Sequence, residues 1–95
     1  MATAGVLYGG TKTVTSAGTA EALATHKETT WVKIQALASN TGYIWVGNSD
    51  VKNDASGGGV FLTAGEAVSI EIDDLAKVYI DSNVNGEGVV YLAGK

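Results

Sequence analysis

From Trp31 to Ala36 the chain reads WVKIQA, and its side chains alternate: Val32, Ile34 and Ala36 against Trp31, Lys33 and Gln35. A period of two places every second residue on one face of a strand, and no helix can collect Val32, Ile34 and Ala36 on one side. The pattern returns in AVSIEID, where Val68, Ile70 and Ile72 face one way and Ser69, Glu71 and Asp73 the other. Each alternating run is short and ends in Gly, Asn, Asp or Ser, the residues that turn a chain. Such a chain folds by stacking short strands.

Read along its length, the chain predicts a first strand over Thr11–Thr15 and a second around Ala20–Ala24. Trp31–Ala36 follows, and SNTG leads into YIWVG as a hairpin. Residues 48–59, NSDVKNDASGGG, read as an exposed polar loop, with Gly57–Gly59 a flexible connection or a segment that orders against a partner. VFL, a turn on Ala64-Gly65, AVSIEID, KVYID and GVVYLAG complete the set. TAEALATHKE is the one helical alternative, but it is short and thin on its polar side. The fold expected is all-β: a single small β-sandwich, jelly-roll-like or Ig-like, of seven to eight short antiparallel strands spanning residues 11–95. Residues 1–10, small apart from Val6, Leu7 and Tyr8, read as a flexible N-terminal arm.

Charge narrows the function. Ten carboxylates stand against six lysines, with no arginine. Arginine is the side chain that best grips phosphate and reads guanine edges, so the balance argues against a nucleic-acid partner. No apolar run is long enough for a membrane-spanning helix, and MATAGVLYGG lacks the basic and apolar regions of a secretory signal. Without cysteine, neither a disulfide framework nor a thiolate metal site is possible.

The aromatic residues run out of phase with the aliphatic ones. Trp31 opposes Val32 and Ile34, Tyr43 and Trp45 oppose Ile44 and Val46, and Tyr79 opposes Val78 and Ile80. If the aliphatics fill the core, these rings lie on the outside, where tryptophan and tyrosine are the commonest binding anchors. Trp31, Tyr43, Trp45 and Tyr79, with Val6, Leu7 and Tyr8 of the arm, are therefore the candidate interface. A mixed phase that buries two or three of the rings is the alternative.

Motifs with chemistry are few. Asp81-Ser82-Asn83-Val84-Asn85-Gly86 matches the first half of an EF-hand loop, but the twelfth position is Leu92, which cannot ligate a cation. Asn85-Gly86 is a strong hairpin signal, and that reading prevails. His26, the single histidine, has no nucleophile turn beside it, and one histidine without cysteine makes a poor zinc site. Asp73 and Asp74 point to opposite faces if extended, so they do not form a shared acid–base pair. Gly57–Gly59 lacks the Lys and Ser/Thr of a phosphate loop. No catalytic, cofactor or metal residue is expected, and the chain does not read as an enzyme.

From Trp31 to Leu92, NTGYIWVGNSDV and then LTAGEAVSIEIDDLAKVYIDSNVNGEGVVYL resemble small β-sandwich structural proteins of tailed-bacteriophage virions, head decoration or cement proteins. Ala64 stands where similar sequences often carry proline. The resemblance implies a non-enzymatic protein made in the host cytoplasm and placed on the capsid surface. There it would bind the major capsid protein and itself, commonly as a homotrimer, and brace the shell. It implies no catalytic residue. A tail or neck component is the near alternative. A carbohydrate-binding or adhesin-like sandwich with Trp31, Tyr43 and Trp45 as a sugar platform is the distant one.

Overall fold

Alternation does set the strands. The computed structural model describes residues 5–95 and contains β1 (Leu7–Thr13), β2 (Glu21–Ala22), β3 (Trp31–Ala36), β4 (Ile44–Gly47), β5 (Val60–Leu62), β6 (Ala67–Ile70), β7 (Tyr79–Ser82) and β8 (Gly88–Gly94). They form two four-stranded sheets, ordered β1-β8-β3-β6 and β2-β7-β4-β5, with every ladder antiparallel. The fold is an all-β sandwich. The ladders β1·β8, β2·β7, β3·β6 and β4·β5 pair strands whose numbers always sum to nine. That rule describes one long hairpin, bent at the β4–β5 connection and rolled up on itself, which is a jelly roll. The ladders β3·β8 and β4·β7 then close each sheet.

Rolling the hairpin changes two local expectations. β3 and β4 do not form a hairpin; they lie in different sheets, and the Leu37–Tyr43 connection carries the chain across the sandwich. Asn85-Gly86 likewise lies between β7 of one sheet and β8 of the other, although Gly86 does adopt the left-handed φ (82°) that its turn requires. Turn residues encode a reversal of direction. They do not encode whether the next strand pairs edge to edge or packs face to face. The one sequence-adjacent ladder is β4·β5, which joins strands across residues 48–59.

That connection is not a loose one. Val51 is buried, Asp54 caps a short 3-10 turn at Ala55–Gly57, and Gly59 (φ 94°) lies so close to the Val46 carbonyl that a side chain there would collide with it. Gly57 and Gly59 are demanded by close backbone approach, which a flexible tether would not need, while Gly58 stands in open space with a left-handed φ of 77°.

Side chains of both sheets meet in one core. Val32, Ile34 and Ala36 of β3 and Val89 and Ala93 of β8 face Ile44 and Val46 of β4 and Ile80 of β7, all buried. Each aliphatic side chain so buried contributes about 1.5–3 kcal/mol relative to exposure. Val68, Ile70 and Ile72 pack on this core from the β6 edge, on the face their alternation predicts. TAEALATHKE is not a helix: it holds β2 and a run of bends, with Leu23 buried in the core. Leu75, at the start of a 3-10 turn capped by Asp74, closes the same end.

The expected arm also changes. Met1–Ala4 lie outside the described residues, but Leu7–Gly10 are the first half of β1, paired with Gly94–Tyr91. The first strand thus begins earlier than Thr11 and ends at Thr13, and Val14 is a fully buried core residue just past its end.

Candidate functional site

The stretch Asp81–Gly88 has a definite use for its oxygens. Asp81 Oδ1 accepts from the Gly18 amide at 2.9 Å, and Asn85 Oδ1 from the Ala17 amide at 2.7 Å. Asn83 Oδ1 accepts from the Tyr43 amide at 2.8 Å. Glu87 accepts from the Thr41 amide (2.6 Å), the Thr41 hydroxyl (2.9 Å) and the Gly42 amide (2.8 Å). Residues 81 and 85 thus hold the β1–β2 connection, and residues 83 and 87 hold the β3–β4 connection. The spacing that resembles a calcium loop is a pair of interleaved clasps on backbone N–H groups. The Gly42 and Thr41 amides hold the Glu87 carboxyl below its ordinary pKa. Asp81 Oδ2 has no partner among the described residues, and one free carboxylate oxygen falls far short of the six to eight that calcium takes. No group of three or more His, Asp or Glu suited to a metal occurs among the described residues.

His26 forms a second polar corner. Its Nδ1 lies 2.7 Å from Asp74 Oδ2, and Asp74 Oδ1 accepts from the Lys27 and Ala76 amides. The His26 contact, with those amides, holds the Asp74 carboxyl down at about 2, and the carboxylate in turn raises the imidazole. Asp73 turns away to an ion pair with Lys77 at 2.9 Å. The two adjacent carboxylates thus serve different partners. No nucleophilic hydroxyl among the described residues is hydrogen-bonded to the exposed imidazole, so the corner joins the 26–28 and 73–77 segments and has the form of a structural clasp.

The aromatic offset places rings outside both sheets, but not in one patch. On the β2-β7-β4-β5 sheet, Tyr43 and Trp45 flank Phe61, with ring centroids 5.3 and 5.2 Å away. Phe61 and Tyr43 are about half exposed, at 51% and 47%. Tyr79, half-buried, stands opposite Gly47 on the neighbouring strand. Trp31 is on the other sheet, where it shares a row with Gly94 and Leu7. There Leu7 (69%), Leu92 (44%) and Val90 (38%) are exposed. Val6 is exposed as well, whereas Tyr8 turns inward onto the core with the Lys27 ammonium 4.6 Å above its ring. Of the seven candidate residues, Tyr43, Trp45 and Tyr79 thus lie on one outer face and Trp31 and Leu7 on the other, while Val6 is exposed beside the start of β1 and Tyr8 packs on the core.

Phe61 is the residue that sequence reasoning missed. It lies in a strand of three residues, too short to show a phase, and its place beside Trp45 depends on the β4·β5 ladder across residues 48–59. Val90 and Leu92 could have been found by extending the alternation of Val89 and Tyr91. Comparison with protein families, curated proteins and solved structures gives no match to this chain.

Proposed function

We propose that the chain is a non-enzymatic structural protein of a tailed-phage virion, a head decoration protein that binds the major capsid protein and braces the shell. The observation that carries this reading is the cluster of Tyr43, Trp45 and Phe61 held on the outside of one sheet by the alternation that fills the core. The half-exposed rings of Tyr43 and Phe61, backed by the half-buried Trp45, bind with little loss of side-chain freedom, which suits a protein that acts through its surface. The jelly roll occurs in capsid and lectin domains alike, so the fold does not choose between them. The rings support the first: Phe61 is tilted by 54° to Tyr43 and 45° to Trp45, so the three do not form one flat platform of the kind that stacks on a sugar ring.

Co-sedimentation of the purified protein with expanded, undecorated heads of its own virus tests the reading. The protein should pellet with the heads, and Phe61→Ala should abolish binding while thermal unfolding moves little, because the ring is half exposed. Failure to pellet, or binding indifferent to both Phe61→Ala and Trp45→Ala, would reject it. Specific binding on a glycan array would favour the carbohydrate reading.

A further inference from the structure

The sandwich has four strand edges, and they are not alike. β2 has two residues and β5 three, too short to template another strand. β6 has four and is flanked by Glu66 and Glu71. β1 has seven residues, Leu7–Thr13, and among the described residues it pairs on one side only, with β8. Natural sheets guard such an edge with charge, proline or a bulge, and β1 has none of these except Lys12, which turns to an ion pair with Glu21 at 3.1 Å.

The register shows which groups the edge offers. Val6 and Lys95 exchange both backbone hydrogen bonds, Val6 N–H to Lys95 O at 2.9 Å and Lys95 N–H to Val6 O at 3.0 Å. In an antiparallel ladder such pairs alternate with non-bonded ones. Tyr8, Gly10 and Lys12 therefore bond to β8, while Leu7, Gly9, Thr11 and Thr13 direct their N–H and C=O groups outward. Gly9 supplies a separate observation. It lies mid-strand without a left-handed φ, and a Cβ there would meet nothing closer than the Tyr91 carbonyl at 3.9 Å. Nothing among the described residues requires glycine at this position. A strand-interior glycine often marks a bulge, a bend or a place where a ligand or another backbone comes close, and the register of β1 runs through Gly9 without a bulge.

We infer that the free edge of β1 pairs antiparallel with β1 of a second copy about a two-fold axis at Gly10, joining two four-stranded sheets into one. In this register Leu7 meets Thr13 and Gly9 meets Thr11, so all outward groups find partners, about eight hydrogen bonds in total. Gly10 meets Gly10 at a close-approach position, where side chains would crowd most. Lys12 falls opposite Tyr8 and not opposite its own copy. Charge favours this edge over the others: residues 1–20 carry one lysine and no carboxylate, while all ten acidic residues lie from Glu21 onward. Two copies of a chain of net charge −4 meet here where no carboxylate is contributed by the pairing strand itself. The pairing commits the protein to a two-fold association, in place of the three-fold one implied by the virion resemblance, and it stands whether or not the chain binds a capsid.

Light scattering on the purified chain over a concentration series should show a mass rising to twice that of one chain. Backbone amide exchange should slow by about tenfold or more at Leu7, Gly9, Thr11 and Thr13 on going from dilute to concentrated samples. Thr11→Pro removes an outward N–H without touching the β1·β8 bonds and should leave a monomer with the same circular dichroism as the dilute wild type. The exchange experiment needs no variant, so a poorly folded Thr11→Pro protein does not blunt the test. A monomer at every concentration, a trimer, or a dimer whose four odd-numbered amides exchange freely would overturn the inference.

Discussion

Glu87 binds three donors of a neighbouring connection with one carboxylate, and its stability contribution must depend on charge. Because its folded pKa is lowered, that contribution is complete above the unfolded value near 4.5 and is lost as pH falls through the folded value. Glu87→Gln should therefore melt at a lower temperature than wild type at neutral pH, and the gap should narrow as the pH falls from the unfolded value near 4.5 through the lower folded one. A gap independent of pH would mean that the side chain acts by shape alone. The His26–Asp74 pair behaves differently at its two ends. Asp74, depressed from 3.8 to about 2, contributes fully above 3.8 and loses its share as the pH falls through about 2. His26, raised from 6.5, contributes fully below 6.5 and loses its share as pH rises through its folded pKa. Thermal melts of His26→Gln against wild type should differ most between these limits, near pH 5, and converge as the pH rises through the raised pKa of the imidazole. The exposure of the imidazole keeps that difference small.

At the scale of elements, Gly59 and Gly86 separate two costs that are usually mixed. Both have left-handed φ, at 94° and 82°. A Cβ at Gly86 would meet open space, whereas at Gly59 it would strike the backbone of Val46 and Gly47. Gly86→Ala should cost about 1–2 kcal/mol, the strain of the conformation alone. Gly59→Ala should cost clearly more by the same denaturant titration, since β4 and β5 must also separate to admit the methyl group. Equal losses would show that the β4–β5 connection relaxes freely. These elements also show how far the sequence could be read. Strand phase was legible wherever four or more residues alternate, as in β3 and β6, because burial on one face writes itself into every second residue. Partnership was not legible: SNTG and Asn85-Gly86 mark reversals, yet both lead across the sandwich. The interlocking of the 81–87 side chains with residues 17–18 and 41–43 was hidden for the same reason, since those contacts join segments 40 or more residues apart.

For the molecule as a whole, the rolled hairpin makes most contacts distant in sequence. Of its six ladders, β4·β5 alone joins neighbouring strands, while β1·β8 joins the first strand to the last. Loop closure must precede nearly every reward, so refolding in a stopped-flow experiment should take on the order of milliseconds to seconds, in the range of other all-β sandwiches. A microsecond phase carrying the full amplitude would contradict the topology. The distant pairing of β1 also bears on how the protein is made. On a ribosome β1 emerges before any strand that will hold it, and β8, which must sit between β1 and β3, emerges after both. Until then the opening segment of the chain has a ready template and no proper mate, so a crowded polysome is where copies of this protein are most exposed to one another.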